Sequence, residues 1–257
     1  MIVEQTTSAG VALVTGAARR IGRAISKRLT QEGYALALHA SQRSREEAQL
    51  LAREIADAGG RAEVVIADLM DMQAPAQLFE AARRLGAVTL LVNNASLFEQ
   101  DTPDTFDTDF FDRAMAVNLR APCALAALMA RALPKGASGA IVNIADQRVW
   151  RLNPQFFSYT LTKAALWTAT QTMAQAFAPR LRVNAVGPGP VLPNTMDGDD
   201  GFQREAANIP LERAVAPEEV AEAVAYLAQA RSVTGQMIAV DGGQHIAWKT
   251  PDVITDL

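Results

Sequence analysis

The sequence predicts an α/β fold: a doubly wound, parallel sheet of about seven strands in a single domain, with helices on both faces. Three observations predict it. Short, nearly continuous apolar runs alternate with longer helical patterns, as expected for strands covered on both faces by crossover helices. No internal repeat or linker interrupts this alternation. The length, 257 residues, suits one α/β domain with a full core.

The elements follow in order. GVALVTG (Gly10–Gly16) reads as a buried strand ending in a turn, and Arg20–Glu32 as a helix stopped by Gly33. Ala35–His39 is a second strand, followed by a helix over Ser44–Ala58 that ends before Gly59-Gly60. Ala62–Asp68 is a third strand, Gln73–Arg84 a helix, and Val88–Ala95 a fourth strand. One long helix is expected over Asp109–Leu133, then a strand over Ala140–Asp146 and a helix over Ser158–Phe177. Leu181–Gly189 is a sixth strand. Pro217, Glu218 and Glu219 open a helix, since proline and acids belong in a first turn, and Gln236–Gly243 is the last strand. Gly187–Gly201 carries three prolines, four glycines and three acids. It reads as a structureless lid, with a plain surface loop as the alternative. The substrate segment is drawn as about 187–216.

Composition excludes several classes. Charges of 24 Lys+Arg against 28 Asp+Glu give a net charge of −4 without a basic block, so a nucleic-acid partner is not expected. The longest apolar run, Ala121 to Ala130, is too short to span a membrane. The N-terminal MIVEQTTSAG lacks the apolar centre of a signal peptide. The lone cysteine, Cys123, forms no intrachain disulfide, which fits a cytoplasmic protein. His39 and His245 lie far apart and make no metal pattern.

The turn Thr15-Gly16-Ala17-Ala18-Arg19-Arg20-Ile21-Gly22 joins the first strand to the first helix. Glycines permit a tight turn and close approach to a phosphate, and a helix N-terminus offers free N–H groups. In the first βα unit this is the phosphate site of a Rossmann-type fold. A tight turn without a ligand is the alternative. NAD-binding folds place an acid at the end of the second strand to hold the ribose 2′-hydroxyl. Here the segment has His39, Ser41, Arg43 and Ser44 and no carboxylate, which suits a 2′-phosphate. Arg19 adds charge, so NADP(H) is expected rather than NAD(H).

With these residues in order, the sequence resembles the short-chain dehydrogenase/reductase family over essentially its whole length. The carriers are the TGxxxxxG turn, Asn93-Asn94-Ala95, Asn118, Tyr159-Thr-Leu-Thr-Lys163 and Gly187-Pro188-Gly189. Most of the family has glycine where Arg20 stands, and a serine where Asp146 stands. Arginine and aspartate at those places resemble the pteridine reductase branch, as does Asn93 to Phe98 (NNASLF). The segment Ala40–Arg43 is one residue longer than in that branch, which leaves the individual 2′-phosphate contacts open.

The resemblance implies catalytic roles for Asp146, Tyr159, Lys163 and Asn118. It implies a cofactor site of Gly16, Arg19, Arg20, Ile21, Gly22, Asp68 and Leu69 beside the adenine, Asn94, Ala95, Ser96, Tyr159, Lys163, Pro188 and Gly189. It implies a substrate site of Arg20, Ser96, Phe98, Asp146 and Tyr159, with Phe98 stacked on a pterin, and a homotetramer. Asn118 is expected to bend its helix, and Lys163 to hold the nicotinamide ribose. Trp150, Pro193 and Met196 are placed along the cleft, and the tail after Gly243 against a neighbouring subunit.

The chemistry follows from residue type. Tyr159 and Lys163, four apart, share one helix face, so the ammonium is expected to lower the tyrosine pKa. Asp146, at the carboxyl end of its strand, is expected to hold the Tyr159 hydroxyl and relay a proton once apolar surroundings raise its own pKa. Its alternatives are a solvated carboxylate or a turn cap, and Phe98 has a core role as its alternative. The expected function is an NADPH-dependent reduction of a C=N bond in a pterin-type substrate: a dihydropterin or dihydrofolate. A carbonyl reductase of another substrate, such as a 3-oxoacyl thioester, is the second reading. A non-catalytic NADPH-binding regulator is the third.

Overall fold

The computed structural model describes residues 9–193 and 198–248. At its centre, β1 (Val11–Val14) is wholly buried, as four consecutive apolar residues with no polar alternation require. Around it run β2 (Ala35–Ala40), β3 (Ala62–Ile66), β4 (Val88–Asn93), β5 (Gly139–Ile144), β6 (Leu181–Pro188) and β7 (Met237–Val240). The order is β3-β2-β1-β4-β5-β6-β7, and every pairing is parallel. The order reverses between β1 and β4. That is where doubly wound sheets open a crevice at their carboxyl edge.

Helices cover both faces. They are α1 (Arg20–Gln31), α2 (Arg45–Asp57), α3 (Ala74–Leu85), α4 (Thr108–Met115), α5 (Ala121–Ala132), α6 (Phe157–Phe177), α7 (Gly198–Ala207) and α8 (Pro217–Gln229). Alternate β1 residues serve opposite cores. Ala12 and Val14 join Ile25 and Leu29 of α1, Leu51 of α2 and Val224 of α8. Val11 and Leu13 join Leu78 of α3, Leu125 and Met129 of α5 and Ala174 of α6. At the start of α8, the Glu219 carboxylate accepts the Ala216 N–H at 2.8 Å, closing the first turn behind Pro217.

Two expectations are corrected. The helix over Asp109–Leu133 is interrupted by a π-helical turn at Ala116–Arg120, where the Ala121 N–H reaches back five residues to the Ala116 carbonyl. Pro122 is the cause: it has no N–H to give to the Asn118 carbonyl, and its ring crowds that carbonyl. The lid over Gly187–Gly201 is not uniformly structureless. β6 runs through Pro188 and α7 begins at Gly198, with acids Asp199 and Asp200 in its first turn, where the helix dipole favours them. Met196 lies outside the described residues. So do most of the N-terminal segment read for a signal peptide and the end of the tail.

Among the described residues no helix is long and apolar enough to cross a membrane, and no cluster of His, Cys, Asp or Glu could hold a metal. Cys123 is partly buried in α5, and burial pushes its thiol up.

Gly22 sits where a Cβ would lie 2.0 Å from the Gly16 carbonyl oxygen and 2.7 Å from Asn94 Nδ2. Gly22→Ala is therefore expected to destabilise the protein by about 3 kcal/mol, as overpacked positions do, seen as a lower urea midpoint with an unchanged slope.

Candidate active site

The turn between β1 and α1 is held from below. Gly16 has φ +62°, a conformation that glycine adopts without strain. Asn94 Nδ2 donates to the Thr15 and Gly16 carbonyls, both at 2.9 Å. Thr15 Oγ1 accepts the N–H groups of Asn94 and Ala95 at 2.9 and 3.0 Å. Asn94 and Ala95 thus lock the turn to the end of β4. No side chain caps the α1 N-terminus and its first turn has no acid, so its N–H groups are left for a phosphate. This uncapped end, beside glycines rather than side chains, fits a dinucleotide diphosphate.

His39 was expected at the 2′-phosphate, and the structure corrects this. Only 3% exposed, it accepts the Gly16 N–H on Nδ1 at 3.1 Å. Nε2 therefore carries the proton and donates to the Ala67 carbonyl at 3.2 Å. Burial drives its pKa down to about 4, so it is a neutral strut beneath the turn. Ser44 is also buried, at the start of α2, whereas Ser41 and Arg43 remain exposed after β2. Arg19 is exposed and leans to Glu47 at 3.7 Å. Asp68 is exposed after β3 and accepts the Met70 N–H at 2.9 Å, while Leu69 is buried in the core.

Arg20 has φ +51° and turns toward the segment after β6. Its guanidinium donates to the Leu192 carbonyl at 3.1 Å and the Pro193 carbonyl at 2.9 Å. It thus ties the phosphate turn to the segment expected over the substrate. Pro188 is buried in β6, and Gly189 packs where a Cβ would meet the Asp241 backbone at 2.7 Å.

The reacting groups sit on α6 and just past β5. Tyr159 is 6% and Lys163 2% exposed. Tyr159 Oη donates to Asp146 Oδ2 at 2.8 Å, and Asp146 Oδ1 accepts the Arg148 N–H at 2.8 Å. The turn-capping alternative and the tyrosine-holding role thus use different oxygens of one carboxylate. Lys163 Nζ donates to the Ile144 carbonyl at 2.6 Å and lies 5.5 Å from the Tyr159 ring centre.

Electrostatics overturn one expectation. Burial and the adjacent Asp146 hold Tyr159 well above the usual phenol range, so Lys163 does not lower it on balance. Burial likewise raises Asp146 and lowers Lys163 to about 8. Burial thus shifts the phenol and the carboxyl toward holding a proton and the ammonium toward releasing one.

The segment after β4 forms the outer wall. Phe98 is half-exposed, lies parallel to Phe156 with ring centres 4.2 Å apart, and meets Tyr159 edge-on at 4.7 Å. Asn118, buried in the π-helical turn, accepts from the Ser96 hydroxyl at 3.2 Å and the Leu97 N–H at 2.8 Å. Its amide donates to the Leu97 carbonyl and to Thr162 Oγ1, both at 3.0 Å. The side chain is saturated by protein groups and positions the wall against α6. Trp150 is exposed, edge-on to Trp167 and 5.2 Å from His245.

Sequence reasoning missed Asp101, Arg148, Phe156 and Thr162. The Arg148 guanidinium lies over the Phe156 ring at 4.9 Å. Asp101, 6% exposed, binds Ser158. In sequence it is one acid among Glu99, Asp104, Asp107 and Asp109, with nothing to distinguish it.

The fold and the buried Tyr–Lys–Asp group define an oxidoreductase. The sequence profile of the family described as enoyl-(acyl carrier protein) reductase matches residues 16–245, and the chain belongs to the short-chain dehydrogenase/reductase family. It is similar to the FolM alternative dihydrofolate reductase 1 from Brucella canis, solved with NADP. That likeness has 50% identity and a TM-score of 0.92 over 96% of this chain and 98% of that one. A blue fluorescent protein from a metagenomic library, solved with NADPH, shows 33% identity and a TM-score of 0.86 over 93% and 99%. The 3-oxoacyl-[acyl-carrier-protein] reductase FabG of Staphylococcus aureus is 31% identical over 91% of this chain and 98% of its own length.

His39 yields a test. Its folded pKa lies below its unfolded value, so the unfolded chain binds the extra proton first. The contribution is complete above pH 6.5 and is lost as pH falls to about 4. The loss should be on the order of 3 kcal/mol. In urea titrations across that window, His39→Gln should flatten the dependence, because the amide can accept from Gly16 and donate to Ala67 without titrating.

Proposed function

We propose that the protein is an NADPH-dependent reductase that adds hydride to a C=N bond of a pterin-type substrate, a dihydropterin or dihydrofolate. The cofactor is NADP(H), held at the α1 N-terminus and flanked by Arg19 and Arg43, with no acid at the end of β2 to prefer a free ribose hydroxyl. The observation that carries the reading is the 2.8 Å hydrogen bond from Tyr159 to Asp146. A serine at that place would only orient the phenol, whereas an aspartate also stores a proton. The half-exposed Phe98 ring beside it suits a flat heterocycle. The likeness to the Brucella canis alternative dihydrofolate reductase supports the same substrate class.

When bound, NADPH supplies the hydride. The chain supplies the proton. Tyr159 gives its hydroxyl proton to the substrate nitrogen, and Asp146, whose affinity for a proton is raised by burial, takes one up from solvent and relays it to the phenolate. The Lys163 ammonium, held by the Ile144 carbonyl, stabilises the phenolate formed between those steps. Arg20 holds the Leu192–Pro193 backbone over the cleft.

Loss of NADPH absorbance with 7,8-dihydrobiopterin, dihydrofolate and a ketone panel tests the reading. Asp146→Ser is expected to lower pterin kcat/KM by about a hundredfold, the scale of one lost general acid, while sparing any ketone reduction. Retained pterin turnover in that variant would sink the proposed proton path. Turnover of ketones alone would make the protein a carbonyl reductase, and tight NADPH binding with no turnover a regulator. Arg43→Glu should raise the KM for NADPH on the order of tenfold and leave that for NADH nearly unchanged.

A further inference from the structure

We propose that Asp101 is a positioning residue for this reaction: its buried carboxylate fixes the wall after β4 to the start of α6 and so sets the angle between Phe98 and Tyr159. The inference rests on the pterin reading above.

The 21-residue helix α6 begins without a cap of its own. Its N-cap position is Phe156, at φ +55°, whose side chain accepts no hydrogen bond. A buried helix start with unmet N–H groups is costly, and the partner must come from elsewhere. Asp101 provides it from 57 positions earlier. Its backbone carbonyl accepts the Phe157 N–H at 3.2 Å. Both carboxylate oxygens accept the Ser158 N–H at 3.1 Å. Oδ2 also accepts the Ser158 hydroxyl at 2.5 Å. Ser158 is fully buried and directly precedes Tyr159. A negative charge at a helix N-terminus is also favourable.

The place of Asp101 along the wall turns this cap into a device. Asn118 holds one end of the wall through both backbone groups of Leu97. Asp101 holds the other end, and Phe98 lies between them. Ring stacking of Phe98 on Phe156 is weakly directional and lets rings slide. Hydrogen bonds on either side of Phe98 remove that freedom. The ring then meets the phenol at 84° and 4.7 Å. A flat substrate lying against Phe98 would reach the Tyr159 hydroxyl in one orientation. Near-attack geometry is sensitive enough that a displacement of about 1 Å costs large factors in rate.

The test uses the NADPH-bound enzyme with 7,8-dihydrobiopterin and the variants Asp101→Ala, Asp101→Asn and Ser158→Ala. Asp101→Ala is expected to raise the pterin KM on the order of tenfold and lower kcat severalfold, with the NADPH Kd within about twofold. Asp101→Asn, which keeps an acceptor for the Ser158 N–H, should restore both constants to within about threefold of wild type. A lower melting temperature with unchanged KM and kcat would make Asp101 a structural cap only and overturn the inference. If Asp101→Ala fails to fold, Ser158→Ala decides, since it deletes a single hydroxyl. A KM rise of about threefold with unchanged NADPH binding supports the inference, and an unchanged KM overturns it. Wild-type enzyme that turns over no dihydropterin overturns the substrate reading and this inference with it. Wild-type turnover with a normal Asp101→Ala overturns the inference alone.

Discussion

Lys163 carries an ammonium group into a place where it is 2% exposed, and its 2.6 Å bond to the Ile144 carbonyl is what makes that burial tolerable. The bond has a geometric consequence. It fixes α6 against the last residue of β5, and the chain turns into Asp146 two residues later. Tyr159, one turn earlier on α6, then falls within hydrogen-bond reach of that carboxylate. The opposing pressures on the three groups come from the same burial. The carboxylate and phenol are pushed toward their neutral, proton-holding forms, and the ammonium is brought to a pKa of about 8.

The first two turns of α6 are gripped on every side by groups from distant parts of the chain. Asp101 holds Ser158, Asp146 holds Tyr159, Asn118 holds Thr162, and Ile144 holds Lys163. These contacts come from the wall after β4, the end of β5 and the turn that follows it, and the π-helical turn. The parallel register makes them possible, because it brings the carboxyl ends of neighbouring strands to one edge of the sheet. At the same edge, the phosphate turn is built as tightly, with His39 and Asn94 meeting its backbone from beneath and the Thr15 hydroxyl accepting the Asn94 and Ala95 N–H groups. Arg20 links the two halves by reaching from that turn to Leu192 and Pro193.

Several differences between expectation and structure share one cause: a side chain's partner depends on depth. His39 stands next to serines and an arginine in sequence, which made it look like a phosphate ligand. It is instead an inward-pointing residue of β2, where both ring nitrogens meet backbone groups. Lys163 is close to Tyr159 along the helix, yet burial and Asp146 outweigh it in setting the phenol's affinity for its proton. The π-helical turn is different, because its signal was present. Pro122 within a helical pattern marks a break, and the apolar periodicity around it conceals that mark.

The sequence by itself determined the fold class, the strand order, most of the helices and the glycine turn, while its resemblance to a known family is what grouped Tyr159, Lys163 and Asp146. Periodicity, glycine placement and short-range spacing are local properties, and they survive reading along one dimension. Only the tertiary structure decided which face of the turn His39 supports, that the Tyr159 proton is held tightly, and that Asp101 rather than a neighbouring acid caps α6. Each depends on burial and on contacts between residues far apart in sequence. The free energy of a polar group is set by what replaces its water, and only the folded chain specifies that.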